Sequence, residues 1–297
     1  MASKVYFTKD ISPESVVKMY HQLGVDLPGK VAVKVHSGEK GNQNFIRPAF
    51  WKPMLDEVDG TFVENNTAYG DAFSGVRDHT EGHKALLEYH GWTKEVAIDL
   101  LDGDGKEVVW DIPDGKILKT NTVGAGILNY DSMLVLAHFK GHPMGGYGGA
   151  LKQLSIGCAS SRGKALIHSG GKSDDIIDCW NKHESLTGFP EAMADAASSV
   201  VRHFGENILF INVMKNLSVD CDCCDVAEDP CMEDIGILAS TDPVAIDQAC
   251  IDLIYNSDDP GRDHFVERVE RQNGIHTIEA AAELGFGSRE YELIEVE

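Results

Sequence analysis

The stretch "SMLVLAHFKGHPMGGYGGALK", residues 132–152, decides how the chain is read. Ser132 to Lys140 form a strongly apolar run that ends in polar groups, which predicts a buried strand. His138, Lys140 and His142 follow at its end, then Gly145, Gly146, Gly148 and Gly149, then Lys152. In open α/β sheets, ligands bind beyond the carboxyl ends of the strands. Glycines there let backbone N–H groups approach a ligand, and a helix start behind them favours an anion. The two lysines would add charge, and the histidines could move protons or hold a metal. Neither G-x-x-x-x-G-K-[ST] nor G-x-G-x-x-G is met, so this is no P-loop and no dinucleotide fingerprint. The competing reading is a flexible turn with ordinary surface or core histidines.

Outward from this stretch, apolar runs alternate with amphipathic ones. "VAVKVH" (31–36), "GTFVEN" (60–65), "VAIDLLD" (96–102), "EVVWDI" (107–112), "NILFINVMK" (207–215) and "DIGILAS" (234–240) read as strands. Residues 44–58, 76–91, 188–205 and 241–256 read as helices, the last with Thr241 or Asp242 as N-cap and Pro243 at its first position. Two short helices and a final strand, "YELIEVE", close the chain. Strand–helix alternation predicts an α/β fold. The central sheet is expected to be mostly parallel or mixed, flanked by helices. No linker-like stretch separates two halves, so residues 1–297 are expected to form a single compact domain.

Composition narrows the function. The 297 residues are 42% hydrophobic and 25% charged, as in ordinary globular proteins. The formal net charge of −22 argues against nucleic acid or an anionic membrane as partner. No apolar run reaches membrane-spanning length, and the N-terminus lacks the apolar core of a signal peptide, so a cytoplasmic location is expected. Seven cysteines in such a compartment are expected to stay reduced.

Further groups could carry chemistry. "KVHSGEKGNQNFIRP" (34–48) again runs from a strand into a His, His36, and a polar loop with Glu39. If its strand neighbours that of His138, the two histidines share one rim. His79 and His83 are spaced to share a helical face and could bind a metal. Arg77 and Tyr69 lie nearby in sequence. Asp242 is first of all a helix cap, and otherwise a rim carboxylate.

The segment "VDCDCCDVAEDPC" carries Cys221, Cys223, Cys224 and Cys231. Thiolates bind zinc, other soft metals and iron–sulfur clusters. Neither paired C-x2-C knuckles nor C-x2-C-x2-C is present, so a metal or cluster, redox-labile thiols and inert thiols all stay open. The surrounding carboxylates should raise the thiol pKa values.

The blocks "VAVKVHSGEKGN", "HFKGHPMGGYGGALKQLSIGCASSRGK", "CDCC" and "DIGILASTDPVAIDQACIDLI" resemble, in order, those of the domain-of-unknown-function family 362. Many members carry a ferredoxin-type iron–sulfur insert. Here the segment between Lys164 and Cys221 holds only Cys179, so that insert is absent. The resemblance covers His36, Glu39, His138, Lys140, His142, Lys152, Cys158, Cys221, Cys223, Asp234 and Asp242. Cys224 and Cys231 stand outside it.

Together these readings predict one polar cleft at the strand ends. His36, Glu39, His138, Lys140 and His142 are its candidate catalytic groups. Gly145, Gly146, Gly148, Gly149, Lys152 and Asp242 would bind a small anionic molecule. Cys221, Cys223 and Cys158 would hold an iron–sulfur cluster or a transition metal, zinc or nickel, for redox or metal-assisted chemistry, with a redox protein as a further partner. The alternative is a non-catalytic binding protein for a phosphate- or carboxylate-bearing molecule.

Overall fold

A computed structural model describes residues 2–69, 76–92, 96–183 and 186–297. The chain runs β1 (Ser3–Thr8), α1 (Pro13–Gln22), β2 (Val31–Lys34), α2 (Pro48–Glu57), β3 (Thr61–Glu64), α3 (Thr80–Tyr89), β4 (Ile98–Leu100), β5 (Glu107–Asp111), β6 (Thr120–Gly124) and β7 (Ser132–His138). It continues through β8 (Lys140–His142), β9 (Gly146–Gly148), α4 (Ala150–Cys158), α5 (Ser161–His168), α6 (Gly188–Phe204), β10 (Ile208–Met214), β11 (Gly236–Ser240), α7 (Pro243–Tyr255), α8 (Arg262–Arg271), α9 (Ile275–Glu283) and β12 (Tyr291–Glu295).

Eight strands form one mixed sheet in the order β12-β1-β11-β10-β7-β2-β3-β4. Only β11 runs against its neighbours, pairing antiparallel with both β1 and β10. The expected α/β class and mostly parallel sheet are therefore what the chain adopts. β7 and β10 show why. Every residue of both strands is buried. Alternate side chains point to opposite faces of a strand. Met133, Val135, Ile208 and Phe210 enter the core under α4, α6 and α7. Leu134, Leu136, Leu209 and Ile211 enter the core under α1 and α2. A strand covered on both faces needs apolar residues at every position, not at alternate ones.

Helix starts follow local chemistry. Asp242 caps α7 through the N–H groups of Val244 and Ala245, with Pro243 at the first position. Ser12 and Pro13 do the same for α1. Three details depart from the sequence reading. The helix expected over 76–91 begins only at Thr80, with His79 in extended backbone as its N-cap. His79 is therefore not on a shared face with His83. It meets Asp78, while His83 is buried against Ser37, Asn66 and Glu64. The strand at 107–111 leaves the main sheet and pairs with β6. After β7 the chain turns into a small hairpin, β8 with β9. Among the described residues, no helix is long and apolar enough to cross a membrane.

The topology places a crevice. From β2 the chain moves outward to β3 and β4. From β7 it moves the other way, to β10 and β11. β2 and β7 are paired and parallel, so their carboxyl ends meet where the winding reverses. Such a reversal opens a crevice beyond the strand ends. His36 follows β2 and His138 ends β7.

Candidate metal centre and ligand cleft

The cysteine segment joins β10 to β11 and is tied down at its middle. Both oxygens of Asp222 lie within 3.0 Å of His138 Nδ1, and Lys140 Nζ is 3.0 Å from Oδ2. The Asp222 carbonyl accepts the Glu39 N–H at 2.7 Å. Asn42 donates to the carbonyls of Cys221 (3.2 Å) and Cys224 (2.9 Å), and the Tyr69 hydroxyl to that of Cys223 (3.0 Å). The Gly141 N–H reaches Ser218 O at 2.8 Å. A Cβ on Gly141 would fall 2.3 Å from Val219 O, so only glycine permits this approach.

With Asp222 pinned, its two cysteine neighbours meet the end of the β8–β9 hairpin. The ligating atoms of His142, Cys221 and Cys223 all lie within 4.8 Å of one another. Cys221 Sγ accepts the Cys223 N–H at 3.3 Å and the Lys152 ammonium at 3.5 Å. Cys223 Sγ is 3.9 Å from His142 Nε2. His142 Nδ1 accepts the N–H groups of Met144 (3.1 Å) and Gly145 (2.9 Å). Two donors at Nδ1 assign the proton of the neutral ring to Nε2, which faces the sulfurs. Burial, the largest influence, keeps that ring neutral by holding its pKa down.

Burial opposes ionisation of Cys221. Its hydrogen bond with Cys223, the Lys152 charge and His142 outweigh that, and hold its thiol well below the usual range. Cys223 is pushed well up, first by that same hydrogen bond. The pair therefore shares one proton, as one thiolate and one thiol. The carboxylates around the motif were expected to suppress a thiolate. They fail to because Asp222 is neutralised by His138 and Lys140, while Lys152 approaches the sulfur directly.

Beside this group opens a cavity of about 490 Å³, lined among others by His36, Arg77, Lys34, Lys152, Lys164 and His168. Ala68, Met144, Ile156 and Trp180 add an apolar wall. Arg77 is committed to Glu39 (3.0 Å), Glu64 (3.3 Å) and the Tyr69 hydroxyl (2.9 Å). The lysines are not. Lys34 Nζ donates to Val35 O and Lys164 Nζ to Ala159 O, each at 2.6 Å. Among the described residues neither has a carboxylate within ion-pair distance. An ammonium has three N–H donors, so both retain donors for a ligand.

The remaining expected residues are distributed as follows. His36 lines the cavity, its Nδ1 accepting the Gly38 N–H at 3.1 Å. Glu39 lies behind the cavity, holding Arg77. His138 and Lys140 hold Asp222 and do not border the cavity. Gly145, Gly146, Gly148 and Gly149 also lie off it. The N-terminus of α4 behind them is filled by the protein's own carboxylate, Asp247, which accepts from Ala150 N (2.8 Å) and Leu151 N (3.0 Å). A Cβ on Gly149 would fall 2.4 Å from Asp247 Oδ1. The anion expected at this helix start is thus internal. Asp242 sits at the α7 cap, bound also to Ser3 Oγ and Ser288 N. Asp234 ties Lys215 and Asn216 on the surface. Cys158 is buried in the core under α4, its thiol pushed up to about 11 by burial, apart from the Cys221–Cys223 pair. Cys231 turns to Leu217 O.

Sequence reasoning passed over Lys34, Lys164, Asp222 and Asp247. Lys34 and Asp222 did carry a signal: a lysine inside an otherwise apolar strand, and a carboxylate between two cysteines.

The fold and site define an α/β protein with a switch-point cleft and a His/Cys group that could bind a metal. The chain belongs to the family described as Domain of unknown function (DUF362), whose sequence profile matches residues 31–252. No curated protein matches it. Similar solved structures include the lactate racemase apoprotein from Thermoanaerobacterium thermosaccharolyticum, with a TM-score of 0.39 and 11% identity, covering 70% of this chain and 50% of that one. A protein from Thermotoga maritima has a TM-score of 0.39 and 12% identity, covering 91% of this chain and 58% of that one. The chain thus spans between half and three fifths of the length of these structures.

Proposed function

We propose that this protein holds a soft transition metal at Cys221 and Cys223 and binds a small anionic molecule in the adjoining cleft, for metal-assisted or redox chemistry on it. The observation that supports this is the convergence of two cysteines and His142 within 4.8 Å, beside a cavity lined by three lysines. Thiolate donors favour zinc, nickel or copper(I) over magnesium or calcium. A metal held by so few protein ligands would keep positions for a cleft ligand, as in catalytic rather than structural zinc sites. A ligating histidine usually donates its second ring N–H to an acceptor. His142 instead accepts at Nδ1, so in this geometry it donates Nε2–H toward sulfur. The ligand set is then the two thiolates. An iron–sulfur cluster takes four cysteines, and the described residues gather two, which favours a single metal ion.

A bound metal would act as a Lewis acid toward an oxygen of the cleft ligand. Lys152 and Lys34 would neutralise the ligand's charge, and Lys164 would reach it as a hydrogen-bond donor. His142 would hold a proton near the reacting centre, and His36, kept neutral chiefly by burial, would line the cleft as an uncharged hydrogen-bonding group.

The test is stoichiometric binding of zinc or nickel by anaerobically reduced protein. One equivalent is expected, lost in Cys221→Ser and in Cys223→Ser, and kept in Cys158→Ala and Cys231→Ser. Equal binding by all four variants would overturn the assignment.

The spare lysine donors also suit the second reading, a binding protein without a metal. Stabilisation of the folded chain by phosphate or dicarboxylates, undiminished in Cys221→Ser and accompanied by no metal uptake in the wild type, would favour it.

A further inference from the structure

Lys164 is 6% exposed and lines the cleft from α5. Among the described residues its Nζ hydrogen-bonds only to Ala159 O. The acid with the largest effect on it, Asp102, accepts the N–H groups of Asn66 (2.8 Å) and Ser161 (3.3 Å) and makes no ion pair with it among the described residues. Lys34 and Arg77 border the same cavity. Desolvation and neighbouring cations are the two conditions that keep a lysine neutral and nucleophilic.

We propose that Lys164 forms an imine with the carbonyl carbon of a small oxo acid bound in the cleft. The proposal rests on the anion-binding part of the reading above and not on the metal. The Nζ lone pair adds to the carbonyl carbon and forms the C–N bond. The carbonyl oxygen then leaves as water, taking both amine hydrogens, so no oxidant or reductant is needed. Lys34 and Lys152, with donors to spare, would hold the carboxylate. The geometry has electrostatic support. Burial is the largest influence on Lys164, with Asp102 and Glu64 opposing it and Lys34 and Arg77 assisting, and together they bring the amine down to about 7. Burial lowers Lys34 as well, but the charge of Glu64 is the next-largest influence on it and favours its ammonium, so Lys34 is assigned as the counter-charge.

The experiment is reductive trapping. Full-length protein treated with EDTA is incubated with pyruvate or glyoxylate and sodium cyanoborohydride, then digested and mapped by mass spectrometry. A single saturable adduct on Lys164 is expected. Acetaldehyde, which lacks the carboxylate, should label it about tenfold less, the worth of one charge-assisted contact. Lys164→Arg, checked for folding by circular dichroism, should lose the adduct. Labelling confined to exposed lysines, an adduct on Lys34 or Lys152 instead, or equal labelling by acetaldehyde would overturn the proposal. If Lys164→Arg does not fold, the wild-type peptide map alone decides. Metal stoichiometry is read separately, so either reading can fail without the other.

Discussion

Lys152 Nζ lies 3.5 Å from Cys221 Sγ, setting an ammonium from the first turns of α4 against a fully buried sulfur from the β10–β11 loop. Helix and loop meet only because α4 packs beside the strand ends. With the Cys223 hydrogen bond, which contributes more, the contact makes the C-D-C motif a thiolate and a thiol rather than two ordinary thiols. Replacing Lys152 by Met should raise the Cys221 titration midpoint by about 1–3 pH units, the usual effect of losing one close opposite charge. Thiolate ultraviolet absorbance of the metal-free protein across pH checks this. An unchanged midpoint would remove Lys152 from the site's electrostatics.

Asp222 anchors the motif. Burial opposes its ionisation, but His138 and Lys140 prevail and hold its carboxyl well below the usual range. A depressed folded-state pKa contributes stability that is present above the unfolded value, about 3.9, and is lost as pH falls below it. Asp222→Asn leaves Lys140 buried without its counter-charge and should lose about 3–5 kcal/mol at neutral pH. Its acid limb should be flatter than that of the wild type. Urea denaturation at several pH values measures both effects, and wild-type stability in the variant would discount the anchor.

Asp247 behaves in the opposite sense. Burial outweighs its bonds to Leu151 N, Asn212 Nδ2, Ala150 N and the Tyr147 hydroxyl and pushes its carboxyl up to about 6. A raised folded-state value gives stability that is complete below about 3.9 and lost as pH climbs through 6. Asp247→Ala strips the α4 cap and strands buried donors, at a cost of about 2–4 kcal/mol. Asp247→Asn should cost less and remove that decline between pH 4 and 6, approximately the interval between the two pKa values. Thermal unfolding over this range would reveal a decline that persists in Asp247→Asn, which would assign it to another group.

Lys164→Met should stabilise the protein. The folded-state pKa of Lys164, about 7, lies below its unfolded value, so the amine's burial penalty is greatest below pH 7 and fades as pH rises toward 10 or so. Removing it should add on the order of 3 kcal/mol at mildly acid pH, with the gap narrowing above neutrality. Such a gain is what a group retained for function at the expense of stability would leave behind. Chemical denaturation of the two proteins at two pH values tests it, and a less stable variant at acid pH would contradict it.

The fold was largely legible because it rests on local rules. The apolar runs at 132–138 and 208–214 are long and uninterrupted since each strand is covered on both faces. Pro243 after Asp242 announces a helix start through fixed φ and a side-chain cap. The helix at 76–91 began late because His79 takes up extended backbone as its N-cap, which apolar spacing does not announce. The site was legible in part. His36, His142, Lys152 and Cys223 line the cleft, with Cys221 buried behind them against Lys152, each marked by an unusual polar group at a strand end or in a clustered motif. His138 and Lys140 carried the same mark, yet their side chains turn to Asp222.

By itself, then, the sequence determined the long central strands and the longer helices, though not β1, α1, β6 or α5, and that chemistry-bearing residues follow the strand ends. Periodicity and capping are written within a few residues of each other. Only the tertiary structure decided which polar groups face the cleft and which face each other. His138 and His142 are four residues apart. One ends a sheet strand against Asp222, some eighty positions away, and the other turns over the hairpin toward Cys223. Partners so distant in the chain are chosen by strand order and by the cost of burying an unpaired charge. Neither is visible until the sheet is assembled.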